Sequence, residues 1–334
     1  MTTPIKRRAL LYGLAGTAFL ASRAIGPAFA AAPAGSPAAG QSLRVVATTA
    51  IVGDIVANVM GETGQVEWLM GEGVDPHLYK ITRADLSRLV GADIVFYSGL
   101  LLEGKMTDVL QRIAEAGKPV IAVTDDVDAA RLLGSADYAG QFDPHVWMDV
   151  ALWSQTVPVV RDELSRLRPD QASAFQAGAS TYLERLEALE AYVRRILSSV
   201  SPERRVLVTA HDAFGYFGRA YGFEVLGIQG LSTESEAGVR RIAELVDLLV
   251  ERRIPAVFVE TTVSERNVRA LIEGARSRGH EVAIGGALFS DAMGPAGTYE
   301  GTYEGMIDHN ATTIARALGG DAPAGGLSGR LAAR

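Results

Sequence analysis

The sequence predicts an α/β protein of two similar lobes, each a mostly parallel sheet flanked by helices, joined by one long rigid backbone helix. Three observations carry this. Short β-branched runs alternate with helix-period stretches from Leu43 onward, the order of elements in the first half recurs in the second, and the strandless stretch Asp170 to Val200 separates the halves. Such alternation marks βαβ units, whose crossover helices cover the faces of a parallel sheet. At 334 residues, with 48% hydrophobic and 21% charged, the chain can bury substantial cores, and its length leans towards two domains.

In the first half, Val45 to Ala47 reads as a strand followed by a helix over Ile51 to Met60. Val66 to Met70 precedes the helix Thr82 to Val90, Ile94 to Tyr97 precedes Met106 to Ala116, and Val120 to Val123 closes the set. The second half runs Val206 to Val208, helix Ala213 to Tyr221, strand Glu224 to Ile228, helix Val239 to Glu251, strand Val257 to Val259, helix Glu265 to Arg278 and strand Val282 to Ile284. Local text also echoes: Ala92-Asp93-Ile94-Val95-Phe96 corresponds to Pro255-Ala256-Val257-Phe258-Val259, consistent with an ancient duplication. Between the halves, Phe175, Tyr182, Leu183, Leu186, Leu189, Tyr192, Ile196 and Leu197 recur at mostly three- and four-residue steps, the period of a helix. Pro169 and Pro202 bound it. The expected lobes are residues 43–169 and 202–320, with 170–201 as the linker helix.

The ends differ in character. Lys6, Arg7 and Arg8 precede an apolar run from Ala9 to Leu20, and Ala28-Phe29-Ala30 has the small-x-small form of a cleavage site, so residues 1–30 read as a signal peptide. The run is shorter than the roughly 20 residues of a spanning helix. Arg7-Arg8 leaves Sec and twin-arginine export both open. Losing Lys6, Arg7, Arg8 and Arg23 takes the net charge from −7 to −11, an acidic protein with no basic-aromatic clusters, which argues against nucleic acid. Residues 31–42 read as a flexible leader and 321–334 as a flexible tail. The absence of cysteine excludes disulfides, thiolate ligands, thiol catalysis and a lipidated cysteine, so any metal is held by nitrogen and oxygen.

Three of the five histidines stand in informative contexts: Asp75-Pro76-His77, Asp143-Pro144-His145 and Thr209-Ala210-His211-Asp212. A lone histidine is more often structural than a ligand. Each of these, however, follows a predicted strand or precedes a helix, and ligands of open α/β sheets bind beyond the carboxyl ends of strands, where distant residues meet in one cleft. Proline restricts its own φ and the residue before it, so Asp-Pro-His holds an imidazole on a short stiff segment. Asp291, after the run Val282 to Phe289, is a candidate carboxylate donor, although a turn or capping role suits it alone. Glu260, at the end of Val257 to Val259, is its rival or an orienting partner for a histidine. His280 at a helix end and His309 on a terminal helix read as structural.

The segments Asp143-Pro144-His145-Val146-Trp147-Met148-Asp149, Leu207 to Phe217, and Leu288 through Asn310 resemble the zinc/manganese-binding proteins of bacterial ABC importers, solute-binding protein family 9. The similarity runs from about Leu43 to Gly320. It implies one metal in the cleft between the lobes, with His77 and His145 as ligands from the first and His211 and Asp291 from the second, choosing Asp291 over Glu260. It also implies a periplasmic protein, expected as a monomer, that hands its ion to a membrane permease with its ATPase. Three imidazoles and a carboxylate suit Zn²⁺ ahead of Mn²⁺. Manganese-specific members tend to carry a carboxylate where this chain has His211; zinc-dedicated members often carry a His/Asp-rich loop where Asp125 to Phe142 has no histidine. The alternative is a zinc hydrolase with three His ligands, an open water position and Glu260 or Asp212 as base. No His-Glu-x-x-His motif supports it, and Asp291 would fill the position of the water, so an enzyme is not expected.

Overall fold

The computed structural model describes residues 42–135 and 140–332, so the expected signal peptide and most of the leader lie outside the described residues. The first half runs β1 (Arg44–Thr49), α1 (Ala50–Met60), β2 (Gln65–Met70), α2 (Arg83–Gly91), β3 (Ile94–Tyr97), α3 (Thr107–Glu115) and β4 (Val120–Ala122), then α4 (Val150–Trp153) and α5 (Thr156–Leu167). The strands form one all-parallel sheet in the order β2-β1-β3-β4. Its inner strands β1 and β3 are buried almost throughout, whereas the edge strand β2 is buried only at Met70 and leaves Trp68 exposed. Thr49 caps α1 by accepting from Val52 N–H, and Thr82 with Asp85 forms a capping box on α2, so both helices start where their side chains satisfy orphan amides.

The second half contains β5 (Val206–Thr209), α7 (Gly215–Tyr221), β6 (Glu224–Gly227), α8 (Val239–Glu251), β7 (Ala256–Glu260), α9 (Arg266–Ser277), β8 (Ala283–Leu288) and α10 (Tyr303–Ala317). It repeats the parallel pairing as β5-β6 and β7-β8. Here β5 packs beside β7 without a continuous ladder, so the sheet is split at its centre where the first half is joined. β8 runs through Gly285-Gly286 to Leu288, well past the apolar stretch that announced it.

The long helix α6 (Ala172–Ser198) lies against both halves. Its Tyr182 donates to Asp54 of α1 at 2.8 Å, and its Tyr192 hydroxyl pairs with Thr312 of α10 at 3.0 Å. Gly178 lets the helix approach α1 closely: a Cβ there would lie 2.4 Å from the Val59 carbonyl oxygen. The largest core cluster is continuous across α1, α4, α5, α6, α7 and α10 and so contains residues of both halves. Two satellite clusters back the individual sheets. Residues 321–332, expected within a flexible tail, fold back along α10: Leu327 N–H donates to Asp308 at 2.8 Å and Ala332 N–H to Glu300 at 3.0 Å. Among the described residues no helix is long and apolar enough to cross a membrane.

Candidate metal centre

The carboxyl ends of the strands converge on one point between the two halves. His77 lies in the turn region between β2 and α2, His145 in the segment before α4, His211 just beyond β5, and Asp291 just beyond β8. Each offers one ligand atom, all within 4.8 Å of one another, and all four residues are buried. The Nε2 atoms of His77 and His145 are 3.3 Å apart. Asp291 presents Oδ1 to His145 Nε2 at 3.4 Å and Oδ2 to His211 Nε2 at 3.3 Å, while His77 Nε2 stands further off, 4.0 Å from Oδ2.

Each Asp-Pro-His segment is a local turn in which the aspartate accepts the histidine's backbone N–H: Asp75 from His77 at 2.8 Å and Asp143 from His145 at 2.9 Å. Beyond that the two copies diverge. Asp143 also holds the far ring nitrogen, Nδ1, of His145 at 2.7 Å, which aims Nε2 at the cluster. Asp75 instead turns its second oxygen to Thr233, in the loop between β6 and α8. Glu260, at the end of β7, does for His211 what Asp143 does for His145: it accepts the backbone N–H at 2.8 Å and pairs with Nδ1 at 2.5 Å. Glu260 therefore faces the back of His211, away from the cluster. The sequence reading assigned Asp143 no role; its signal is the i, i+2 spacing to His145.

Burial opposes charge on these imidazoles, yet neighbouring carboxylates win at two of them. Asp143 and Asp291 raise His145 to about 9, and Glu260 and Asp291 hold His211 well above the ordinary histidine value. Burial likewise works against ionised Asp291, but His211, His145 and His77 hold it well below the carboxylate range. His77, which has no carboxylate against its far nitrogen among the described residues, is driven by burial down to about 3. His211 Nε2 and both Asp291 oxygens are buried and meet no well-aligned hydrogen-bond partner, only one another and His145 Nε2 at 3.3–3.4 Å. Such atoms are expensive to leave unmet, and a cation at their centre satisfies all three.

His280 and His309 lie outside the cluster, each bound to a backbone carbonyl, of Ile254 at 2.8 Å and Ala287 at 2.9 Å respectively.

The profile of the family described as "ZnuA: Zinc-uptake complex component A periplasmic" matches residues 45–317, a span that carries all four cluster residues. The chain belongs to the ZnuA family. It is 49% identical to the manganese-binding lipoprotein MntA of Bacillus subtilis (strain 168), over 87% of this chain and 95% of that one. It is 47% identical to the zinc-binding protein TroA of Treponema pallidum (strain Nichols), over 82% and 88%. The solved structure of the Treponema pallidum protein superposes with a TM-score of 0.79, covering 82% of this chain and 98% of that chain. The ZnuA-family fold, parallel sheets flanked by helices with a long helix between them, is the one described above.

Proposed function

We propose that this ZnuA-family protein captures one Zn²⁺ between His77, His145, His211 and Asp291 and delivers it to the permease and ATPase of an ABC importer. The observation that carries the reading is the buried set of four ligand atoms within 4.8 Å of one another, in which His211 Nε2 and the Asp291 oxygens face only each other and the neighbouring imidazole nitrogens, at 3.3–3.4 Å. Their spacing supports the size of the ion. Donors about 2.0–2.1 Å from a common centre at tetrahedral angles lie roughly 3.3–3.4 Å apart; His77–His145, His211–Asp291 and His145–Asp291 already stand at 3.3, 3.3 and 3.4 Å, whereas the set as a whole spans up to 4.8 Å and must draw in around the ion. Four protein donors close the coordination shell, so no place is left for an activated water. The protein is a solute-binding component and not a hydrolase.

In this reading residues 43–169 and 202–320 act as the two lobes and 170–201 as their rigid spacer, supported by the position of α6 against both. The protein acts outside the cytoplasm. We place it in the periplasm as a monomer, cleaved near Ala30, with no nucleic acid partner. The Bacillus relative is named a lipoprotein, whereas this sequence has no cysteine to acylate. Mn²⁺ is the second reading, favoured by the 49% identity to a manganese-binding protein and by the two inward-facing Asp291 oxygens, which could both coordinate a larger ion. Native mass spectrometry after loading with equal Zn²⁺ and Mn²⁺ tests this. One zinc per chain supports the proposal, one manganese moves it to the second reading, and no bound ion contradicts both.

A further inference from the structure

His145 comes from the first half and His211 from the second, yet one side chain holds the segments of both. The chain leaves β5 through His211 and runs into α7, whose second residue is Tyr216. The Tyr216 ring is fully buried in the core shared by both halves, and its hydroxyl reaches across to the first half. There it accepts the Leu133 N–H at 3.1 Å and donates to the Asp143 carbonyl at 2.8 Å. One hydroxyl thus meets one donor and one acceptor, both from main chain.

Leu133 and Asp143 are the base of a short antiparallel pairing. The Asp143 N–H donates to the Leu133 carbonyl at 2.8 Å, Gly134 bridges Phe142, and the Ser135 N–H donates to the Gln141 carbonyl at 2.9 Å. Tyr216 grips this pairing where it meets the ligand segment. Arg219, one turn further along α7, donates to the Arg131 carbonyl at 2.6 Å and lies 5.0 Å over the Tyr216 ring. Gly215 lets the two segments close up: a Cβ there would lie 3.0 Å from Asp143 Oδ2.

Asp143 is the residue that aims His145, since its carboxylate holds both Nδ1, at 2.7 Å, and the backbone N–H, at 2.9 Å. On the other side of His145 the Trp147 indole donates to the Ser290 carbonyl at 2.8 Å, next to Asp291. The Trp147 tie therefore sets His145 against Asp291, and the Tyr216 tie sets it against His211. Without the Tyr216 hydroxyl, Asp143 loses its fixed point and the imidazole is free to swing about the Trp147 anchor. A ligand set tolerates only about 0.5 Å of such error.

We propose that Tyr216 is a positioning residue of the metal centre, setting the first-half ligand His145 against the second-half ligand His211 by clamping Asp143. It does not touch the ion. The inference rests on the metal-binding reading above.

The test compares Tyr216→Phe with Tyr192→Phe, whose buried hydroxyl pairs with Thr312 of α10 at 3.0 Å and not with Asp143. Each variant loses one buried hydroxyl and should melt at a lower temperature than wild type. Competition with a chromophoric chelator gives the Zn²⁺ affinity, and the visible spectrum of Co²⁺-loaded protein reads the ligand geometry, which a loss of stability alone does not move. Tyr216→Phe should bind Zn²⁺ about ten-fold more weakly and change the Co²⁺ spectrum, whereas Tyr192→Phe should match wild type in both. Gly215→Ala keeps the hydroxyl but pushes on Asp143 directly, so it should also weaken Zn²⁺ binding, and it decides the matter if Tyr216→Phe does not fold. Wild-type affinity or a wild-type spectrum in folded Tyr216→Phe overturns the clamp, as does an equal loss in Tyr192→Phe; with Tyr216→Phe unfolded, unchanged binding in Gly215→Ala overturns it. Wild type that binds neither Zn²⁺ nor Co²⁺ sinks the metal-binding reading and the clamp together, whereas one bound ion held equally by all variants removes the clamp alone.

Discussion

Metal uptake by this protein should expel about two protons per ion at pH 7.5. In the metal-free cluster His145 titrates near 9 and His211 well above the ordinary histidine range, while Asp291 is ionised and His77 neutral. Each imidazole must shed its Nε2 proton before it can donate to a cation, so two protons compete with one ion. The sign follows directly: lowering the pH favours the protonated, metal-free form and weakens binding. With two protons released, apparent affinity should change about hundred-fold per pH unit between roughly pH 6 and 8, or about 2.7 kcal/mol per unit. Imidazoles of ordinary pKa, about 6.5, would be mostly neutral at pH 7.5 and would release almost none. Calorimetric titration with Zn²⁺ in buffers of different ionisation enthalpy reads the number of protons as a slope. Glu260→Gln should lower that number towards one, because burial then depresses His211 unopposed by its nearest carboxylate, and should weaken binding about 10- to 100-fold. A slope near zero in wild type would refute the assignment of charge in the cluster.

Other outcomes follow from the packing. Asp54, which accepts from Tyr182 of α6, is raised from 3.8 to about 6 chiefly by burial, so the fold gains from its protonated form at low pH and loses that gain as pH rises through 6. At about 1.4 kcal/mol per unit this is on the order of 3 kcal/mol, and Asp54→Asn should raise the melting temperature at pH 7.5 but not at pH 4. Gly178→Ala should destabilise by about 1–3 kcal/mol in chemical denaturation, because its Cβ would collide with the Val59 carbonyl. Zn²⁺ at about a hundred times its dissociation constant should stabilise the native protein by about 2.7 kcal/mol, and chelator should remove that gain.

The parallel strands were legible because a strand covered on both faces is mostly apolar, as in Val45 to Ala47 of β1, Ile94 to Phe96 of β3, Val206 to Val208 of β5 and Ala256 to Val259 of β7. Strand β8 was shortened in the reading because Gly285-Gly286 carry no apolar side chain to mark it. The pattern of the sequence does not mark helices α4 and α5. Pro158 looks like a helix breaker, yet it sits in the first turn of α5, where a missing N–H leaves no hydrogen bond unmade. The fold-back of residues 321–332 was hidden by their Gly/Ala-rich composition, since the bonds to Asp308 and Glu300 come from backbone amides that any residue supplies. In the cluster, the repeated Asp-Pro-His drew attention to His77 and His145. Periodicity could not separate Asp291 from Glu260, because neighbouring parallel strands deliver both to the same end of the sheet. What separates them is direction, with Glu260 behind His211 and Asp291 in front of it. Direction of that kind is set by tertiary packing.

Anomalous diffraction from crystals grown with Zn²⁺, measured on either side of the zinc edge, is the most direct measurement of the central claim. The account expects a single strong anomalous peak enclosed by His77 Nε2, His145 Nε2, His211 Nε2 and the Asp291 carboxylate. A peak bound elsewhere, or one at this position that persists at full height in Asp291→Ala, would contradict it.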